Sequence, residues 1–499
     1  MTVWNTKLMM RLTPTDIASY YRPSACERRV LLRHLGEKEE EPSAYDQVLR
    51  RLGQRHEHTH ASSFGKLIEI GTLPRDDRVK ATLDAIAKRV PVIYQPVFVV
   101  QHKLAGMEVE IEGIPDLIVR DGEGYIIRDV KMARRIDEEQ HPEIMLQVQL
   151  YGWLFEQSCG MQLKALQVWG GSSEITEILY DGGKAALKEL GHLLETIHNG
   201  DQRYEPVGWS KCGGCGYRDK CWSEAEAVSD VSLILGVDQG LARKLHELGF
   251  DSTGALLANF DAEKLGKLKR PYGKRQQKVG KTAERILQRA KAMSEKSETV
   301  LARPILPAGP NWVMFDLEGM PPHLDEMEKV YLWGLQVFGE RASEYTASIT
   351  DFGVDGDRRG WFDFLGKAKC LLDDYGNISF VHWATYEGAK LDLYTARYGD
   401  PDGTAARVRS SLFDLLAATR DSMVLPLPSL SLKVVEEYVG YKRSQTEYGG
   451  DWSMATFIEA TETCDEKRRR ELMNAIQRYN AEDLEATWAV FQWLRSKAS

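Results

Sequence analysis

Apolar and polar positions change rhythm several times along the chain. Leu12-Thr-Pro-Thr-Asp-Ile-Ala-Ser-Tyr-Tyr predicts a helix, with Thr13 as N-cap and Pro14 in the first turn. Further helical runs follow Cys26 and cover residues 44–60. Residues 92–100 and 107–119 are rich in β-branched side chains and predict strands. Asp121-Gly-Glu-Gly124 is a turn signal, so residues 114–119 and 125–130 predict a β-hairpin. A helix is predicted over 138–157, strands over 163–169 and 176–180, and a helix over 183–198. Residues 231–292 read as helical with short loops, and 294–310 as a polar, then Pro-rich, linker. A second α/β pattern follows, with strands at 312–319, 330–338 and 378–383, a helix at 360–373, and mostly helix thereafter.

The first hairpin carries chemistry. Side chains alternate along a strand, so Asp129 and Lys131 share a face, and Asp116 can meet them across the pair. Two carboxylates and an amine suit a divalent cation such as Mg²⁺ or Mn²⁺ and a water to be activated. The plainer alternative is a surface hairpin with solvated charges. Gln147 and Tyr151, four apart, share a helix face. In the later pattern Asp316 and Glu318 share a strand face, and Tyr479 and Asp483 a helix face.

Composition narrows the classes. A chain of 499 residues is too long for one core and predicts two to four domains. Hydrophobic content of 43% and charged content of 28% fit an ordinary globular protein. No apolar window is long enough to span a membrane, and Met1-Thr-Val-Trp-Asn-Thr-Lys7 is no secretory leader, so a cytoplasmic protein is expected. Seven cysteines, an odd number, do not make a disulfide framework; Cys212-x2-Cys215-x5-Cys221 has the spacing of a metal site. The net charge of −9 excludes a uniformly basic coat, yet residues 264–281 hold eight Lys or Arg and no acid. That local excess, including Lys267, Lys269, Arg270, Lys274 and Arg275, fits a surface that tracks nucleic-acid phosphates; the alternative is a solubilising helix face.

The order Cys26, Gly53-x-x-His56, Gly113-x-x-Asp116, Asp129-x-Lys131, Gln147-x3-Tyr151, Cys212-x2-Cys215-x5-Cys221 resembles the RecB-type PD-(D/E)xK nucleases. It is most similar to the iron–sulfur subset that includes CRISPR-associated RecB-like exonucleases and AddB-type nuclease domains. The resemblance implies His56, Asp116 and Asp129 as metal ligands, Lys131 as the water-positioning residue, and Gln147 and Tyr151 as its support. It also implies a four-iron four-sulfur cluster on Cys26, Cys212, Cys215 and Cys221; a zinc site is the alternative. One departure is Pro115, where the family has an acid before Asp116.

The pattern Leu-Gly-Val…Ala-Arg-Lys-Leu-His-Glu-Leu-Gly-Phe, over residues 235–250, resembles helix-hairpin-helix repeats, which offer backbone amides to phosphate. Asp316-x-Glu318, Glu387 and Tyr479-x3-Asp483 resemble the DEDD exonucleases of the ribonuclease H-like fold, in the subset with tyrosine in the last motif. That implies Asp316, Glu318, Glu387 and Asp483 as ligands of two metals and Tyr479 as the water-orienting residue. Glu387 stands where that family usually has Asp, with Asp392 and Asp414 as other candidates. The whole order is similar to bacterial and archaeal RecB-like nucleases in which the two halves are fused.

The expected protein is therefore α/β in three parts. A restriction-endonuclease-like PD-(D/E)xK domain with an iron–sulfur cluster covers 1–228, a basic helical module 229–298, and a ribonuclease H-like domain 305–499. The expected function is metal-dependent hydrolysis of DNA in repair, recombination or defence. The rivals are a nucleic-acid-binding protein with one decayed nuclease domain, an RNA-directed exonuclease, and a zinc-stapled scaffold without catalysis.

Overall fold

A computed structural model describes residues 9–200, 204–273, 275–322, 327–351, 353–445 and 449–498. They fall into two compact units. The first takes in residues 1–42, 49–205 and 210–221, and the second 43–48, 206–209 and 222–499. Among the described residues, no helix is long and apolar enough to cross a membrane.

Helix α1 (Ala44–Ser62), which lies in the first unit from Leu49 onward, precedes that unit's six-stranded mixed sheet. Its strands, in spatial order, are β1 (Ile68–Glu69), β2 (Val92–Tyr94), β3 (Leu117–Asp121), β4 (Gly124–Val130), β5 (Ala165–Trp169) and β6 (Ile175–Ile178). The strands β3 and β4 form the expected antiparallel hairpin, closed at Asp121 and Gly124. Strand β4 then runs parallel to β5. Helix α2 (Pro142–Cys159) buries Val148, Tyr151, Leu154 and Phe155 in the same core as Ile118 and Ile127.

Two expected strands are each broken in two. Residues 92–100 divide into β2 and Phe98–Leu104; residues 107–119 divide into Met107–Gly113 and β3. The breaks fall at Pro96 and Pro115, which have no N–H to give a ladder. Phe98–Leu104 and Met107–Gly113 join Met10–Leu12 in a separate three-stranded sheet. Asp116 therefore lies in the bend before β3, not on a strand. Gly113 is where α2 crosses closest: a Cβ there would lie 2.4 Å from Leu154 Cδ1.

The second unit opens with short helices. Helix α3 (Gln239–Glu247) is N-capped by Asp238, which accepts the Leu241 N–H at 2.9 Å. The basic stretch departs from the helical expectation. After Ala262–Lys267 it forms an antiparallel ribbon of β7 (Lys269–Tyr272) and β8 (Arg275–Lys278). Pro271 opposes a helix, Gly273 takes the turn with φ of 56°, and no apolar residues recur at helical spacing. Lys274 lies outside the described residues. A helix resumes at Ala283–Glu295, and the stretch expected as a linker is partly paired, Thr299–Val300 with Met423–Val424.

The C-terminal α/β part is built on β9 (Asn311–Met320), β10 (Lys329–Gly339), β11 (Thr346–Ile349), β12 (Ser379–His382) and β13 (Leu412–Asp414). Their order is β11-β10-β9-β12-β13; β9 is antiparallel to β10 and parallel to β12. Alternation along β9 decides what each face holds. Val313, Phe315 and Leu317 enter a core with Trp333, Trp361 and Phe364. Trp312 and Met314 face the opposite core, made by Leu484, Val490, Phe491 and Leu494 of helix α4 (Glu466–Lys497). Asp316 and Glu318 have the same parity as Trp312 and Met314, so they face α4 as well.

Gly240 in α3 meets the ribbon: a Cβ there would lie 1.9 Å from the Pro271 carbonyl oxygen. We expect Gly240→Ala to loosen the ribbon's seat. Amide hydrogen exchange should speed up across residues 269–278 and stay unchanged in β9 and β10; uniform protection in both would show that the close approach is dispensable.

Candidate functional site

The hairpin of the first unit brings Asp116, Asp129 and Lys131 together. Asp116 is held twice through its backbone neighbours: Gln95 N–H donates to its carbonyl at 2.8 Å, and Val130 N–H donates to its Oδ2 at 2.7 Å. Gln95 adopts a left-handed backbone, φ 50°, to make that turn. Asp129 is 1% exposed, and its Oδ2 lies 2.7 Å from Lys131 Nζ. Burial pushes Asp116 well above the usual carboxylate range, and the Asp129 charge adds to it. Burial opposes charge on Lys131, but Asp129 and Asp116 outweigh it and hold its pKa above the ordinary lysine value.

His56, on α1, lies flat on Trp169 with ring centroids 4.2 Å apart; His60 stacks on the same indole at 4.1 Å. Burial lowers the His56 pKa, so its neutral ring is favoured. Gln147 Nε2 donates to Tyr151 Oη at 2.8 Å. Burial, then Asp129 and Asp116, push the Tyr151 phenol well above its usual range. Sequence reasoning missed Glu57, whose charge acts on Asp116, Lys131 and Tyr151. Its place directly after His56 on α1 was the available signal.

Three buried atoms here have no hydrogen-bond partner, His56 Nε2 and both oxygens of Asp129, of which Oδ2 has only the ion pair with Lys131. Buried polar atoms are nearly always satisfied, so such orphans need a partner. A carboxylate oxygen and a neutral imidazole nitrogen are both acceptors, and a divalent cation suits both. The donor chemistry fits such an ion, although His56, Asp116 and Asp129 do not all bring ligand atoms within 4.8 Å of one another.

The second unit gathers a tighter set. Asp316, Glu318 and Asp483 each offer an oxygen within 4.8 Å of the others, the one such group of possible metal ligands among the described residues. Burial raises all three pKa values, and the mutual charges of Asp316, Glu318 and Asp483 add to the rise on Asp316 and Glu318. Arg443 opposes this for Asp483, to which it is directly paired, while holding Glu436 at 2.5 and 2.7 Å. Lys433 Nζ donates to Tyr479 Oη at 3.0 Å. Asn480 Nδ2 donates to Asp316 Oδ2 at 2.6 Å. None of Lys433, Glu436, Arg443 and Asn480 was picked from sequence; Asn480 sits beside Tyr479, the only local hint.

Glu387 falls outside that 4.8 Å group, yet its charge reaches the trio and adds to the rise on Asp316. It begins the helix Tyr386–Tyr398 and takes His382 Nδ1 at 3.1 Å. Asp414 caps a helix through Ala417 N–H, and Asp392 pairs with exposed Arg409, so neither is drawn to the trio.

The four cysteines Cys26, Cys212, Cys215 and Cys221 are half-buried and free of disulfides. Their thiols are electrostatic neighbours: Cys221 feels each of the other three. Burial pushes Cys26 and Cys215 up, and Cys221 to about 11.

Residues 17–222 match the model of the PD-(D/E)XK nuclease superfamily, and residues 313–495 that of the RNase_H superfamily. The chain carries one domain of each family. It is a metal-dependent nuclease with nucleic acid as its substrate class. Among solved structures it is similar to SSO0001 (17% identity, 44% of this chain and 89% of that one, TM-score 0.24). A structure from Eubacterium rectale with a provisional exonuclease name gives 13% identity, 38% and 83% coverage, and a TM-score of 0.25. No curated protein matches the chain.

His60 sets a pH dependence on this nuclease. Burial and the nearby Arg128 lower its pKa from 6.5 to about 4. The unfolded chain therefore binds the extra proton first, and this contribution to stability is full above pH 6.5 and lost as pH falls toward 4. We expect His60→Gln to flatten that part of a melting-temperature profile; an identical slope in both proteins would assign the fall to other groups.

Proposed function

We propose that the protein is a DNA exonuclease with two sites. In the first, Asp116, Asp129 and His56 hold a divalent cation, Mg²⁺ or Mn²⁺. A cation held there supplies a more acidic water and offsets phosphate charge. Lys131 orients the attacking water, and the Gln147–Tyr151 pair keeps that side of the pocket fixed and dry. The observation that carries this reading is the buried Asp129 Oδ1, without a donor, beside Lys131.

In the second site Asp316, Glu318 and Asp483, with Glu387 held by His382 as the fourth carboxylate, would hold two divalent cations, and Tyr479 orients the water. That site digests a strand from its 3′ end. The boundaries proposed for the working parts are 1–228, 229–298 and 305–499. Cys26, Cys212, Cys215 and Cys221 carry a four-iron four-sulfur cluster, with zinc as the other occupant to test. Lys267, Lys269, Arg270, Lys274 and Arg275 give the nucleic-acid surface. Lys267 and Arg270 are engaged with Glu263 and Asp238, which leaves more of the work of meeting phosphate to Lys269 and Arg275. The cellular setting that suits such a nuclease is repair, recombination or defence.

A second reading, in which the C-terminal domain binds nucleic acid without cutting it, is favoured by the Arg443–Asp483 pair and by Glu387 in place of Asp.

End-labelled DNA and RNA, offered to the full chain with Mg²⁺, separate these readings. We expect Asp129→Ala to abolish one cleavage pattern and Asp316→Ala to abolish digestion from the 3′ end. Undiminished turnover of both patterns in the Asp129→Ala protein would remove the first site. Preferential loss of RNA would replace DNA as substrate. If no 3′-end digestion occurs before or after Asp316→Ala, the binding-only reading stands for the second.

Protein purified without oxygen should be brown and should lose its colour in Cys26→Ser. Zinc without iron in that preparation would decide for the alternative.

A further inference from the structure

The β7–β8 ribbon is built against the usual rules for a surface hairpin. Lys269 lies directly opposite Lys278, and like charges in that position repel. Beyond the backbone ladder, neither lysine side chain has a hydrogen-bond or ion-pair partner among the described residues, nor does that of Arg275. Both strands are almost wholly exposed, so apolar burial does not explain them. A two-stranded ribbon is marginal by itself. This one is fastened at its base instead: Arg270 pairs with the α3 cap Asp238 at 2.5 Å, and Pro271 fits against Gly240.

Register assigns the faces. Lys269 and Lys278 share one, and Tyr272 and Arg275 share the other, next to the turn. Cations thus look outward on both sides. Tyr272 is 59% exposed, which is unusual for a ring that could fold back, and the Arg270 guanidinium lies 5.1 Å from its centroid. One side of the ring is thereby supported and the other left open.

We propose that this ribbon is a pin for the point where two nucleic-acid strands part, with Tyr272 stacking on the last exposed base. The proposal rests on the nuclease reading above and adds the substrate feature that it recognises. Charge on both faces fits a phosphate backbone on each side, which a strand junction supplies and a lone strand does not. An open aromatic face flanked by cations is the chemistry of base stacking along a backbone.

The test measures binding of the full chain, in EDTA so that strands stay intact. Four fluorescent probes are used: a forked duplex, a blunt duplex, a closed circular duplex and a single strand. Wild type should bind the fork most tightly. Tyr272→Ala should weaken fork binding about fivefold or more, in line with the removal of one base stack. Tyr272→Phe should restore it, and affinity for the closed circle should not change. Lys269→Gln with Lys278→Gln should lower the salt slope on the fork by about 0.7–0.9 for each phosphate that is no longer neutralised. Melting curves matching wild type confirm that the variants are folded.

Unaltered fork affinity in Tyr272→Ala, or an unaltered salt slope in the double variant, overturns the proposal and leaves the nuclease reading standing. Equal weakening on fork and closed circle makes the ribbon a general phosphate-binding surface and overturns it too. A wild type that binds none of the probes, and cuts none in Mg²⁺, overturns the nuclease reading together with the pin.

Discussion

Carboxylates that face one another out of water set the terms for this protein. Two unit charges 4 Å apart, at the effective dielectric of a partly buried site, repel by about 4 kcal/mol. Burying a large apolar side chain contributes roughly 2–3 kcal/mol. One Phe315 or Trp333 therefore does not offset a single pair among Asp316, Glu318 and Asp483, whose oxygens lie within 4.8 Å. The trio persists only with positive charge close by or with protons on its oxygens, and the site leans both ways. Arg443 and Lys433 stand beside it, and its pKa values are raised. The first unit meets the same demand with Lys131 against Asp129.

Such sites need walls that do not yield. In the second unit the wall is β9, whose odd positions enter one core and whose even positions face α4. A slip of one residue would exchange the two sets and turn Asp316 and Glu318 into an aromatic core. Phe315, packed on Trp333 and Phe364, makes that slip costly. In the first unit the backbone itself does the holding, through N–H groups of Gln95 and Val130 on Asp116. Hydrophobic packing thus fixes polar geometry at a distance in one unit, and hydrogen bonding fixes it locally in the other.

What can be read in the sequence is whatever a short period writes down. The alternation in Asp316-Leu-Glu318 and the spacing Tyr479-x3-Asp483 state a face, and the chain obeys it. The hairpin is legible because Gly122 and Gly124 punctuate it. Residues that arrive from distant segments are not. Arg443 and Lys433 reach Asp483 and Tyr479 across roughly 40 residues of chain, a separation no local pattern records. Pro96 and Pro115 are visible as letters, but their effect, switching the chain between two sheets, depends on partners that periodicity does not name. The basic stretch suggests a helix only while charge is weighed and the backbone chemistry of Pro271 and Gly273 is not.

Gly334 carries a consequence of another kind. It pairs with Asp316 across β9 and β10, and a Cβ there would lie 1.7 Å from Asn480 Oδ1. Asn480 fills that gap, donating to Asp316 and accepting from the Tyr345 hydroxyl at 2.9 Å. The two positions are therefore mechanically coupled. A larger residue at 334 has no room while Asn stays at 480, and a smaller residue at 480 leaves Asp316 without its donor. A side chain at 334 therefore has to displace the Asn480 amide, and with it the donor to Asp316, so the cost of the change is felt at the carboxylate trio.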